Sequence, residues 1–86
     1  MFNLIYSPRA HKSLKRFPKE YQRLILKKIT ILEENPKPRG HDKILAKNPP
    51  LYRIRIGEYR VFYFINDKIK EIIIVDIKRR TTQTYR

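Results

Sequence analysis

Residues 51–65 read LYRIRIGEYRVFYFI, and after Asn66-Asp67 the chain resumes with IKEIIIVDIK at 69–78. In the first stretch β-branched and aromatic residues alternate with arginine, the two-residue period of a half-buried strand. Gly57-Glu58 interrupts that alternation and marks a hairpin turn; Asn66-Asp67 marks a second. Residues 69–78 are nearly apolar throughout, which predicts a central strand. Alternation puts Tyr52, Ile54 and Ile56 on one face and Arg53 and Arg55 on the other. Beyond the turn, Val61, Tyr63 and Ile65 oppose Arg60, Phe62 and Phe64. Arg53, Arg55 and Arg60 therefore gather on one sheet face near the turn.

Working outward, Phe2 to Tyr6 is a short apolar stretch that predicts another strand. Ser7-Pro8 supplies a helix start, Ser as N-cap and Pro at the first helical position. Ala10, Leu14 and Phe17 then fall on one face, and Pro18 ends that helix. A second helix is predicted from Lys19 to Glu34, with Tyr21, Leu24, Ile25, Ile29 and Leu32 at core-facing spacing and Leu26 and Ile31 widening the stripe. Asn35-Pro36 stops it. Residues 35–50, with four of the six prolines, predict a surface loop with one short extended piece at Lys43 to Ala46. The order β-α-α-β-β-β predicts an α+β fold, an antiparallel twisted sheet with an N-terminal helical hairpin on one face.

The chain has 86 residues, so residues 1–86 are expected to form one domain. No apolar run approaches the roughly 20 residues of a membrane-spanning helix. MFNLIYSPRAHK has no basic segment ahead of its short apolar stretch, so no secretory leader and a cytoplasmic location are expected. Without cysteine there is no disulfide framework and no thiolate metal site. His11 and His41 lack companions at metal-ligand spacing and are expected on the surface, with no metal and no cofactor.

Twenty-one Lys and Arg against eight Asp and Glu give a net charge of +13. That excess implies a polyanionic partner: nucleic acid, an acidic protein, or both. It is larger in residues 1–50, with twelve basic and four acidic side chains, than in residues 51–86, with nine and four. Most of the helical lysines and arginines read as a solvated face, contact with RNA being the alternative. Arginine at alternate strand positions is also a common surface device. Three clustered like charges repel, however, and arginine is suited to planar, bidentate phosphate recognition.

The block YRIRIGEYRVFY, followed by IIIVDIKRRTTQTY, resembles the C-terminal half of the RelE/ParE toxin superfamily of toxin–antitoxin pairs. The β-α-α lead and the length agree with it. The resemblance implies a microbial-ribonuclease-like fold and, for the RelE branch, an mRNA interferase acting in the ribosomal A site, neutralised by a cognate acidic antitoxin. It implies that Arg53 and Arg55 cradle mRNA; Lys78 and Arg80, basic residues at the end of the third strand, are expected to add to the RNA-binding surface. Arg60 would stabilise the scissile phosphate, Arg79 would act as acid or charge stabiliser, and Tyr85 would stack on a base or orient the nucleophile. ParE-like toxins instead poison DNA gyrase and generally lack the Arg79–Tyr85 pair, so its presence sides with RelE.

The implied reaction is attack of an RNA 2′-OH on its adjacent phosphate, whose nucleophile is internal to the substrate and asks for no metal. Some relatives carry lysine at the positions of Arg53 and Arg55, where a lysine is assigned as general base. Arginine stays protonated and is a poor base. Glu58, the only carboxylate of the motif and on the face of Arg60 by parity, is the candidate base. Tyr85 is the alternative, and a plain turn residue is the third reading. Two further readings of the chain stay open: a gyrase inhibitor of the same fold, and a basic RNA- or ribosome-binding protein without catalysis.

Overall fold

The computed structural model describes residues 1–45 and 49–79. Its elements run β1 (Asn3–Tyr6), α1 (Pro8–Lys15), α2 (Lys19–Thr30), a single 3₁₀ turn (Ile31–Glu33), β2 (Asp42–Leu45), β3 (Leu51–Ile56), β4 (Tyr59–Asn66) and β5 (Glu71–Arg79). The five strands form one sheet in the order β1-β5-β4-β3-β2. The fold is α+β, as the sequence predicts, and β5 lies inside the sheet between β1 and β4.

The meander β3-β4-β5 is antiparallel, with Arg55 opposite Arg60 and Ile56 opposite Tyr59 across the first turn. Gly57 holds φ 60° at the first central position of that turn. This left-handed conformation is one glycine adopts freely, and it lets two residues close a twisted hairpin.

Two features depart from the expected antiparallel sheet. β1 pairs with β5 in parallel, Asn3 opposite Glu71 through Tyr6 opposite Ile74, so the sheet is mixed. β1 is joined to its neighbour by both helices and three strands rather than by a tight turn, so no local signal sets its direction. The extended piece in the Pro-rich segment is a fifth strand, β2, antiparallel to β3. It begins at Asp42, one residue before the predicted start; Ala46 lies outside the described residues.

The helices cover one face of the sheet. Ala10, Leu14, Ile25, Ile29 and Leu32 are buried against the even positions of β3, the odd positions of β4, and Ile72, Ile74 and Ile77 of β5. Tyr63 is wholly buried, and its hydroxyl donates to the Pro36 carbonyl at 2.7 Å, which anchors the loop after the 3₁₀ turn. Burial raises its pKa well above the ordinary phenol value. The predicted stripe of α2 is wider than the core uses. Ile25 and Ile29 are buried, whereas Tyr21, Leu24, Leu26 and Ile31 are each 38–50% exposed.

The first helix is pinned to the sheet by its cap. Ser7 Oγ accepts from Ala10 N at 3.0 Å and donates to the Val75 carbonyl at 2.7 Å, while Ser7 N donates to the Ile74 carbonyl. Nearly two turns later Ser13 Oγ donates to Asp76 Oδ1 at 2.9 Å, and the same oxygen accepts from Ile77 N at 2.8 Å. These bonds flank a register shift in the β4–β5 pairing: Tyr63 faces Ile74, but Phe62 faces Asp76. Val75 is the extra residue of a β-bulge.

Ser7→Ala should lower stability by about 1–2 kcal/mol, because one side chain serves both helix and bulge. For a domain of this size that is a fall in melting temperature of roughly 5–15 °C, read by circular dichroism. An unchanged melting temperature would show that the cap contributes nothing. Ile74→Ala should cost more, about 2–5 kcal/mol, by opening a cavity under the helices.

Candidate nucleic-acid interface

The bulge decides where the cations of β5 go. Plain alternation from Ile72 and Ile74 would carry Lys78 toward the helices and Arg79 to the open face. With one residue inserted, Ile77 returns to the core, Lys78 faces Arg60, and Arg79 faces Tyr59. Arg55, Arg60 and Lys78 therefore form a row across three strands on the face away from the helices. Arg55 and Lys78 are exposed and Arg60 is half-buried. Directly opposed residues stand with Cβ atoms about 4.5–5.5 Å apart, where like charges destabilise a sheet. Neither arginine of the row has an ion-pair partner among the described residues. Such a row is a surface an anion stabilises.

Arg53 is placed differently from the rest. It shares the face of Phe62 but is tied to Asp42 on the neighbouring strand, Nη2 to Oδ2 at 2.7 Å. That hydrogen bond is the main cause holding the Asp42 carboxyl below the usual carboxylate range, with the charges of Arg53, Arg55 and His41 adding to it. Arg53 Nε is buried without a hydrogen-bond partner. Arg53 thus serves to staple β2 to the sheet, and Asp42, the residue that holds it, was not singled out from the sequence. The signal was an acidic residue next to the extended piece, with no means of pairing it before the strand register is known.

Glu58 does not join Arg60. Its Oε1 accepts from Arg79 Nη2 at 3.4 Å, and the two line a groove of about 300 Å³ with Tyr21, Leu24 and Tyr59 on the α2 side. Alternation fails here because Gly57 and Glu58 form the turn itself, where side chains follow the turn geometry rather than the pleat. Both partners are more than half exposed, so the pair orients more than it stabilises. All these groups surround one end of the sheet. Arg55, Arg60 and Lys78 lie on the open side of the hairpin tip, and Glu58 and Arg79 on the helix side. Phe62 and Phe64 lie half-buried on the open face, while Tyr52, Tyr59 and Tyr63 are in the core. Arg80 and Tyr85 lie outside the described residues. His11 is exposed, and His41 Nδ1 lies 2.9 Å from the Pro38 carbonyl in the loop before β2. Among the described residues no three His, Asp or Glu side chains gather as metal ligands would.

No curated protein matches the sequence. Among solved structures, the archaeal RelE–RelB complex from Pyrococcus horikoshii OT3 contains a chain 34% identical to this one. The likeness spans 95% of this chain and 98% of that one, with a TM-score of 0.84. A chain of the RelBE2 toxin–antitoxin complex from Mycobacterium tuberculosis is similar over 92% of this chain and 98% of its own, at 19% identity and a TM-score of 0.80. The isolated E. coli RelE toxin is similar over 96% of this chain and 88% of its own, at 19% identity and a TM-score of 0.79. The family model of the ParE toxin of type II toxin–antitoxin systems matches residues 4–84. The chain therefore belongs to the RelE/ParE superfamily of type II toxin–antitoxin toxins.

Proposed function

We propose that this toxin is a ribosome-dependent endoribonuclease that cuts mRNA in the A site and is neutralised by an acidic antitoxin. The observation that carries the proposal is the Arg55–Arg60–Lys78 row at the hairpin tip. Two guanidinium groups and an ammonium, set on rigid strands, offer parallel donors to successive phosphates.

The chemistry needs three things: charge on the phosphorane, an acceptor for the 2′-OH proton and a donor for the 5′ oxygen. The O2′–P bond forms as the P–O5′ bond breaks, leaving a 2′,3′-cyclic phosphate and a 5′-OH. Arg60, flanked by Arg55, stabilises the phosphorane. Glu58 accepts the 2′-OH proton through the carboxylate oxygen that Arg79 leaves free, with Tyr85 as the alternative acceptor. Arg79 sits beside Glu58, where it steadies the base and hydrogen-bonds the departing 5′ oxygen, which takes its proton from solvent. Lys78 and Arg80 extend the track for the RNA backbone. An RNA strand serving both groups passes over the hairpin tip, from the open face to the helix side. Arg53, held by Asp42, shapes the track's edge and contributes charge at a distance.

The match to a ParE toxin model supports a second reading, inhibition of DNA gyrase by the same fold. Reconstituted translation followed by primer extension separates the two. The nuclease reading expects discrete cuts at A-site codons that vanish without ribosomes. It expects Arg60→Ala to slow cutting by about 10²–10³ and Glu58→Gln to slow it while the fold stays intact. Unchanged cutting by Glu58→Gln would remove Glu58 as base. Intact mRNA together with blocked DNA supercoiling would overturn the nuclease reading in favour of gyrase.

A further inference from the structure

The face of the sheet away from the helices carries more than cations. Arg60, Phe62 and Phe64 alternate along β4, the middle strand of the five, and share that face. Phe64 stands between Leu51 of β3 and Ile73 of β5, and Ile73 in turn faces Ile5 of β1. One apolar row thus crosses four strands, with Phe62 between it and the Arg55–Arg60–Lys78 row. Leu51, Phe62, Phe64 and Ile73 are half-buried, and Ile5 is 40% exposed. None of them belongs to the core under the helices. Neither ring pairs with another aromatic ring among the described residues. With both helices on the other side, the shielding of these side chains comes from neighbours on the same pleat.

An antiparallel sheet with aromatic rings on a central strand and arginines beside them is a surface on which single-stranded RNA lays its bases. Side chains two residues apart on a strand stand about 6.5–7 Å apart, a step that one unstacked nucleotide spans. A strand whose phosphate meets Arg60 therefore brings its next bases over Phe62 and Phe64. No free carboxylate opposes a phosphate chain beside the rings: Asp42 is bound to Arg53, and the Asp76 carboxylate accepts from Ser13 of α1. Glu71 stands at the far end of β5, opposite Asn66 and Asn3. A peptide strand finds no free backbone here, because β4 is paired with β3 on one side and β5 on the other. Charge and rings together favour a nucleic-acid strand over a protein segment.

We infer that Phe62 and Phe64 form a base-stacking platform for single-stranded RNA, with Leu51 and Ile73 as its apolar borders. The phosphates run toward Arg55, Arg60 and Lys78, and the bases turn down onto the rings. Stacking accepts every base but favours purines, whose two fused rings cover more of a phenyl ring. The platform stands on the sheet face alone. That the strand it holds is the one being cut rests on the proposed function. In that reading the rings position the bases beside the phosphate at Arg60 and bias the choice of codon toward purines.

The test uses the whole chain and a fluorescein-labelled 2′-O-methyl oligoadenylate of about eight nucleotides, which lacks a free 2′-OH and is not cut. Anisotropy should show binding that weakens as salt rises. Phe62→Leu and Phe64→Leu keep apolar bulk but remove the ring, and each should weaken binding about threefold or more. Ile31→Ala, exposed on the helix side, should leave it unchanged. An abasic oligomer of the same length should bind weakly, and equally to the parent and both leucine variants. The chain has no tryptophan, so Phe64→Trp supplies a single reporter. Its emission should be quenched by the oligoadenylate and not by the abasic oligomer. Melting temperatures near that of the parent chain establish that the variants are folded. Parent-like binding by both leucine variants would overturn the proposal, as would absence of binding, or unquenched emission in a Phe64→Trp chain that binds the RNA. So would quenching by an acidic, leucine-rich peptide and not by RNA, which would make the strip a protein contact. Because no cleavage is read, a chain that stacks RNA but cuts no mRNA would retain this inference and remove only the nuclease reading. Cutting in the A site at the parental rate and codon choice by both leucine variants would remove the rings from positioning the cut strand and leave the nuclease reading standing.

Discussion

One inserted residue in β5 sets the arrangement of the whole hairpin end. Val75 has no counterpart on β4; Asp76 still turns toward α1, and from Ile77 onward the side chains of β5 change face. Without it Arg79 would stand on the open face and Lys78 would turn toward Tyr59 and the helices. The insertion is held by bonds from a different element. Ser7 and Ser13 of the α1 region bind the Val75 carbonyl and the Asp76 carboxylate. Beyond Ile74, where β1 has ended, the outer edge of β5 is open, and α1 takes over its polar groups. A helix cap, a sheet edge and the choice of cation at the site are thus one structural problem with one solution.

The electrostatics divide in the same way. Only two ion pairs occur among the described residues, Arg53–Asp42 and Arg79–Glu58. Each carboxylate that faces the sheet end takes one arginine out of circulation, one at the β2 edge and one at the hairpin tip. Arg55, Arg60 and Lys78 are left uncompensated between them. Exposed like charges at this spacing cost little in salt, because water and counterions screen them. An anion that fits the row binds the folded state alone and so stabilises it by mass action. Electrostatic frustration is therefore local: it sits at one end of the sheet, while the remaining lysines and arginines of the helices are spread over solvent-facing turns.

The meander, the core faces of β3 and β4 and the start of α1 were legible in the sequence. Each rests on short-range rules: alternation through Tyr52, Ile54 and Ile56, glycine at position 57, Ser7 before Pro8. Three features were not. β1 pairs in parallel with β5, a long-range contact that no local pattern encodes. Arg53 looked equivalent to Arg55 by parity, and only the pairing of β2 with β3 shows that it is occupied. The bulge had one visible trace, Asp76 within the run EIIIVDI, a carboxylate that a strand buried on both sides would not carry without partners. Its partners lie in α1, far away in sequence. Glu58 was misplaced for a related reason, since alternation does not extend through a two-residue turn.

The width of the apolar stripe on α2 follows from the same geometry. A five-stranded sheet this short offers its helices a strip only a few side chains wide. Ile25, Ile29 and Leu32 fill it, and a domain of this size buries only about 60–65% of its unfolded surface. Leu24 and Ile31 therefore lie at the border of that strip, partly open to solvent. Polar residues at those positions would cost the fold less than at Ile25 or Ile29, since Leu24 is 39% and Ile31 50% exposed. Leu24 and Ile31 thus share a border with Lys28, Arg39 and Arg55, none of which has an ion-pair partner among the described residues, so apolar surface and uncompensated charge meet along one side of the sheet.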